Sequence, residues 1–207
     1  MTVRTMTVRA MTVRAMTACS MSALTALVRR LSGRLGHFAG ERRGLAALEF
    51  ALLLPMLITL FLGSVEVTTG VAIQRKVTLT ARALADLSSQ FTSIANADMS
   101  NILNASGDII VPYAAANLQA VVSELSIDGQ GQATVVWSDT LNGTARSVGS
   151  VVNVPSSLAT ANTYLILGEA AYGYNPTYGY VMTGTVSLSD QIYMRPRQSS
   201  SVARKNS

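Results

Sequence analysis

The hydrophobic pattern of the chain has one dominant feature, an apolar run at residues 45–65. The run reads LAALEFALLLPMLITLFLGSV and contains a single charged residue, Glu49. As an α-helix it would extend about 32 Å, enough to cross the hydrocarbon core of a bilayer. It lacks the polar face that a helix at the surface of a soluble domain would show. The pattern therefore predicts a transmembrane helix, in which the proline at position 55 is tolerated.

A second pattern, an amphipathic stripe, follows the apolar run. Its members recur every three to four residues, and they are Ile73, Val77, Ala81, Leu84, Leu87 and Phe91. This spacing predicts that the helix continues through 66–95 with one apolar face. We expect that face to pack against the distal part of the chain, and the alternative is a contact with another subunit.

The distal part, 96–197, reads as a small folded domain that lies before a polar tail at 198–207. We predict a short helix that Gly107 ends, a long loop at 142–157, and four strands at 118–127, 133–137, 164–174 and 180–194. The first two strands form a hairpin across the turn Asp128-Gly-Gln-Gly131. The fold class is therefore α+β, with a long amino-terminal helix (transmembrane, then amphipathic) packed on a small antiparallel sheet of about four strands.

The charge of the chain is concentrated before the apolar run. Residues 1–44 carry eight arginines against one glutamate, whereas the rest of the chain is slightly acidic. Arg42 and Arg43 abut the apolar run, so they predict a cytoplasmic amino terminus and a distal domain on the other side of the inner membrane. This topology accounts for the basic leader without a nucleic-acid partner. We expect the leader, which opens on Met-initiated five-residue repeats, to be disordered.

Cysteine and histidine each occur once, as Cys19 and His37, and both lie in the leader. The chain after residue 44 therefore cannot build a Ser-His-Asp triad, a Cys-His pair or a His/Cys zinc site. We predict no metal, no cofactor and no enzymatic activity. One enzymatic alternative stays open, a site made of carboxylates alone, which would need two of them facing each other across a cleft. The candidates are Glu124, Asp128, Asp139 and Glu169.

The junction between leader and apolar run carries the most informative motif. It reads RRGLAALEF, with Gly44 before the predicted helix, Glu49 fifth after that glycine and Phe50 sixth. A lone carboxylate is costly inside an apolar segment and is usually kept for a role. A glycine before the helix leaves the backbone accessible to a protease. The motif therefore favours a proteolytic site at this junction.

The stretch RRGLAALEFALLLPMLITLFLGSVEV, with the later QRKVTLTARALADL, resembles type IV prepilins. It is most similar to the TadE-like minor pseudopilins of tight-adherence (Tad/Flp) pilus systems. The resemblance implies that a prepilin peptidase cuts after Gly44 and removes the leader. Leu45 then becomes the amino terminus, and Glu49 offsets the amine of a neighbouring subunit.

The same resemblance implies a set of partners and a role. The partners are the prepilin peptidase, other minor pseudopilins, the major pilin, the inner-membrane assembly platform and membrane lipid. The role is in pilus biogenesis and adhesion, with the protein itself incorporated in the pilus as one option. The alternative is an uncleaved single-pass inner-membrane protein with an extracytoplasmic binding domain, for which Gly44 and Glu49 are incidental.

Overall fold

The computed structural model describes residues 42–176, 179 and 183–205, without the side chains of Arg42 and Arg43. Most of the predicted leader and the first residues of the strand predicted at 180–194 lie outside this described part. The chain divides into two compact units, Met1–Ile58 and Thr59–Ser207. Helix α1 (Arg42–Ser89) contributes residues to both units.

The described part of the first unit is helical throughout. Its apolar side chains are exposed, with Leu52 and Met56 among the most accessible, and Pro55 lies inside the helix. A stretch of 18 residues in α1 is strongly apolar, and none of its residues is buried. By length and composition, α1 is therefore able to cross a membrane.

The second unit contains a five-stranded antiparallel sheet. After α1 come β1 (Ser93–Ile94), α2 (Asn96–Ile109) and a single 3₁₀ turn, and the remaining strands are β2 (Leu118–Ile127), β3 (Ala133–Leu141), β4 (Val151–Val152), β5 (Thr163–Tyr174), β6 (Val186–Met194) and β7 (Ala203–Arg204). The strand order of the sheet is β4-β3-β2-β5-β6, and β1 and β7 form a separate parallel pair. The predicted α+β fold, a long helix packed on an antiparallel sheet, is confirmed.

The predicted hairpin of β2 and β3 is present, and its turn is built by Asp128. The carboxylate of Asp128 accepts hydrogen bonds from the backbone N–H groups of Gln130 and Gln132, both at 2.9 Å. An Asp side chain that bonds backbone two residues on is the usual way to close such a turn. A β-bulge between Glu124 and Leu125 shifts the register of β2 against β3 midway along the hairpin.

The amphipathic stripe of α1 packs on one face of this sheet, as predicted. Ile73, Val77 and Ala81 are fully buried against strands β2 and β5. The helix and sheet come closest at Gly168 of β5, where an added Cβ would lie 2.4 Å from the carbonyl oxygen of Ala81. Only a residue without a side chain allows this approach.

The opposite face of the sheet has a core of its own at one end. Leu165 and Leu167 alternate with the helix-facing residues of β5, so they point away from α1. They pack with Leu125 and Ile127 of β2 under the segment that contains Leu158. The sheet is therefore covered on both faces at this end.

Several element boundaries differ from the predictions. Helix α1 ends at Ser89 rather than 95, because the chain turns there to form β1. Helix α2 passes through Gly107 and ends at Ile109, since glycine weakens a helix without forbidding it. The predicted loop 142–157 contains β4, so the sheet has five strands rather than about four.

The segment predicted as a polar tail, 198–207, belongs to the folded domain as far as it is described. Val202 is fully buried in the core between α1 and the sheet. Lys205 donates its backbone N–H to the carbonyl of Ile94 at 2.9 Å, and Arg204 pairs with Asp139 at 2.9 Å. The polar composition of the segment gives no sign of the buried valine or of the ion pair, so the sequence alone indicates a tail.

A buried carboxylate holds this carboxyl-terminal segment in place. Glu124 is 1% exposed, and its Oε1 accepts the backbone N–H of Val202 at 2.5 Å. The indole N–H of Trp137 donates to Glu124 Oε2 at 3.0 Å and to the carbonyl of Val202 at 2.8 Å. Burial raises the pKa of the Glu124 carboxyl above its ordinary value of 4.5, and the two hydrogen bonds offset that effect only in part.

This raised pKa predicts a particular pH dependence of stability. A folded state that holds the proton more tightly than the unfolded chain is stabilised at low pH, and this is lost as the pH rises through the folded-state pKa. We expect the melting temperature of the wild type relative to Glu124→Gln to be higher at about pH 5 than at about pH 7.5. Fluorescence of Trp137, the single tryptophan, reports the unfolding.

The exposed Asp108→Asn substitution controls for the loss of a carboxylate. A difference between wild type and Glu124→Gln that stays constant across this pH range would show that Glu124 does not titrate with folding.

Candidate functional site

The predicted processing junction lies in the first two turns of α1, on an unobstructed helix. Gly44 is the third residue of the helix, and an added Cβ there would meet nothing within 4 Å. Leu45 is 69% exposed and Phe50 is 58% exposed. The peptide bond between Gly44 and Leu45 is therefore not covered by any described part of the chain.

The first described turn of α1 contains features that weaken a helix. No acidic residue lies in this turn, where a negative charge would stabilise the amino-terminal end of a helix. Glycine costs about 1 kcal/mol relative to alanine in a helix. The glycine lies inside the helix, and not before it as predicted.

Glu49 stands one helical turn beyond Leu45, on the same side of the helix. Its side chain is exposed, and no described residue bonds or pairs with its carboxylate. In lipid such a carboxylate needs either a partner from another molecule or a path to the interface by snorkelling. The exposed position of Glu49 leaves its carboxylate available to a partner from another molecule.

Residues 44–86 match a protein-family model described as TadE-like protein. The match covers 43 of the 207 residues of the chain, and this stretch is therefore similar to TadE-like proteins. The match begins at Gly44 and ends at Asp86, so it includes the apolar run and most of the stripe that packs on the sheet. No curated protein and no solved structure matched the chain.

The TadE-like match and the apolar helix together fit a component of a Tad pilus system. The helix also suggests that this component is anchored in a membrane. The match does not extend over β2 to β7, so it carries no information about the function of the sheet.

The four carboxylates of the enzymatic alternative each have a structural partner. Glu124 holds Val202 and Trp137, and Asp128 builds the hairpin turn. Asp139 pairs with Arg204, and Glu169 pairs with Arg146. These contacts account for the four side chains as parts of the fold. Among the described residues, no cluster of three or more His, Cys, Asp or Glu side chains has the form of a metal site.

Two important positions have little signature in the sequence. Gly168 looks like any strand glycine, and its close contact with Ala81 arises only when the helix lies on the sheet. The pairing of Glu124 with Val202 joins residues far apart in the chain. The one available hint was a charged residue at the inward position of an otherwise apolar strand, which predicts a buried partner.

Proposed function

We propose that this TadE-like protein is a minor pseudopilin-like component of a Tad/Flp pilus assembly system. It is anchored in the bacterial inner membrane by α1, with its amino terminus in the cytoplasm and its distal domain in the periplasm or outside the cell. A prepilin peptidase processes it after Gly44. It acts in pilus biogenesis and adhesion as a structural component, and we assign it no catalytic role.

The observation that carries the proposal is the coincidence of the family match with the junction motif. The TadE-like match starts at Gly44, the residue after which cleavage is proposed. The helix that follows is apolar and exposed, and it carries Glu49 as the one acid of the run. The basic pair Arg42 and Arg43 supports the proposed orientation, because positive residues stay on the cytoplasmic side.

Each proposed partner is assigned to a particular part of the chain or to a particular step. The peptidase acts on the junction, and lipid surrounds the exposed part of the first unit. The assembly platform, the major pilin and other minor pseudopilins then receive the processed chain. Cleavage creates a free amine at Leu45, and an amine and a carboxylate in lipid are far less costly as a pair than apart.

The proposal predicts a specific defect for Glu49→Gln. The neutral amide cannot offset the amine of a neighbouring subunit, whereas the peptide bond after Gly44 is unchanged. We therefore expect the protein to be processed normally while surface pili fall at least about tenfold. The measurement combines an immunoblot for the processed form with a count of pili by electron microscopy, in a strain that lacks the native copy.

Glu49→Asp keeps the charge on a shorter side chain and serves as the matched control, with more pili expected than for Glu49→Gln. Pilus numbers equal to wild type in the Glu49→Gln strain would contradict the proposed pairing. Normal piliation in the strain that lacks the protein altogether would contradict the pilus function itself.

A further inference from the structure

An open groove of about 600 Å³ lies on the sheet face that points away from α1. Its floor comes from β2, β5 and β6, at positions that alternate with helix-facing residues such as Ala120 and Ala170. Its wall is the loop at 142–150. The hydrogen-bonding side chains on this face of the sheet and on the loop are Gln119, Thr144, Arg146, Glu169, Ser189 and Gln191.

The wall of the groove is fixed by hydrogen bonds at both of its ends. Asn142 adopts a left-handed conformation (φ 53°), and its amide donates to the carbonyls of Ala115 and Leu118, each at 3.2 Å. Gly149 donates its N–H to the carbonyl of Val135 at 2.8 Å. The loop is therefore held in shape without a ligand, as in a largely pre-formed binding site.

The middle of the wall is joined to the floor by a two-pronged ion pair. Arg146 donates from Nε to Glu169 Oε2 at 2.7 Å and from Nη2 to Oε1 at 2.6 Å. The backbone N–H of Arg146 also donates to Ser138 Oγ at 3.0 Å. This arrangement fixes the guanidinium and the carboxylate in one plane and leaves further donors of the guanidinium and lone pairs of the carboxylate free.

The remaining polar side chains of the groove are available for a ligand. Gln119, Thr144, Ser189 and Gln191 are exposed, and their side chains make no hydrogen bond to any other described residue. Two primary amides and two hydroxyls offer both donors and acceptors. The groove therefore presents mixed hydrogen-bonding groups beside small apolar side chains such as Val121 and Ala171, a combination that suits the polar and apolar faces of a sugar ring.

We propose that this groove binds a neutral, hydroxyl-rich ligand, namely a saccharide. Hydroxyl groups donate and accept at once, which matches a lining of amides, hydroxyls and a planar ion pair. The charges of Arg146 and Glu169 cancel, and Asp190, which also lines the groove, accepts a hydrogen bond from Thr78 of α1 through its carboxylate. The groove therefore presents no unpaired charge that would select an anion or a cation. An apolar ligand would desolvate these polar groups without replacing their hydrogen bonds.

This inference does not rest on processing after Gly44, because the groove lies wholly in the second unit. It gives the proposed adhesive role a ligand class. If the protein binds saccharide but is never processed, saccharide binding stands and the pilus function fails. If it is processed but binds no saccharide, the pilus function stands and saccharide binding fails.

The test uses the full chain in lipid nanodiscs, since alkyl glycoside detergents carry sugar headgroups that would compete for the groove. Saturation-transfer NMR is recorded with three neutral probes, cellotriose, mannotriose and N-acetylchitotriose, at millimolar concentration. Trigalacturonic acid and deacetylated chitotriose serve as the anionic and cationic comparisons. We expect transfer to at least one neutral probe and weaker transfer to both charged ones.

Ser189→Trp fills the groove from an exposed position on β6, and Ser187→Trp adds the same bulk on the same face outside the groove. We expect the dissociation constant of the bound probe to rise at least about tenfold in Ser189→Trp and to stay unchanged in Ser187→Trp. Gln119→Ala, which only trims an exposed amide, is expected to weaken binding without added bulk.

Three results would overturn the proposal. They are no transfer to any neutral probe, tighter binding of a charged probe than of all neutral ones, and affinity unchanged by both Ser189→Trp and Gln119→Ala.

Discussion

A chain that carries Gly44→Val is expected to keep its leader. Valine puts a branched side chain next to the bond that the prepilin peptidase is proposed to cut, where the wild type has none. It also removes the glycine that weakens the first turn of α1. Intact mass of the protein from membranes should therefore change from that of a chain starting at Leu45 to that of the full-length form.

Ala51→Val makes a comparable change on the exposed face of the same helix, two turns further along. It should be processed like the wild type, which separates an effect on the cleaved bond from an effect on the helix. Complete processing of Gly44→Val would mean that the peptidase does not require this glycine and would favour cleavage elsewhere or by another protease.

The second large effect is expected for Gly168→Ala, in the second unit. The new methyl group would lie 2.4 Å from the carbonyl oxygen of Ala81 and 2.9 Å from the amide nitrogen of Ala85. Both are backbone atoms, so no side-chain rotation relieves the clash. Overpacking of this kind costs about 1–3 kcal/mol and more where backbone must move. We expect a clear loss of melting temperature followed by Trp137 fluorescence.

Gly173→Ala is the matched control, on the same strand but on the other face. Its added Cβ would only approach Thr185 Cγ2, at 3.4 Å, which is ordinary contact. Replacing glycine by alanine at a tolerant site stabilises by about 0.4–1 kcal/mol, so the control should be at least as stable as the wild type. Equal stabilities for the two variants would contradict the helix–sheet packing described above.

Much of the fold is predictable because its segments carry local patterns. The stripe from Ile73 to Leu84 has helical spacing and is buried as expected. Strand β2 has the predicted bounds, Leu118–Ile127, since apolar residues there alternate between two turn regions. The helical spacing and the strand alternation both involve residues that are close together in the chain, so they can be read directly from the sequence.

The features that escaped prediction depend on contacts between distant residues. Strand β4 is only two valines long, and β7 exists because its backbone pairs with β1 at the other end of the domain. The groove that Arg146 and Glu169 help to line forms only when the loop at 142–150 folds back over the sheet. No local pattern encodes these pairings. The composition of the two segments therefore predicts only a loop at 142–157 and a polar tail at 198–207.

The processing site has the opposite character, because its motif is local and lies within one helix. The junction motif indicates Gly44, Glu49 and Phe50, the resemblance to prepilins adds Leu45, and the family match begins at the first of these residues. The structure adds that this stretch is exposed and that Glu49 has no described partner. Cleavage and pairing involve other molecules, so they remain predictions for experiment.

The most direct test is the amino-terminal sequence and intact mass of the protein from its native membranes, with and without the host's prepilin peptidase. The account predicts a chain that starts at Leu45 when the peptidase is present and retains the leader when it is absent. A leader retained in both strains would contradict it and leave an anchored extracytoplasmic domain that is not processed as a pseudopilin.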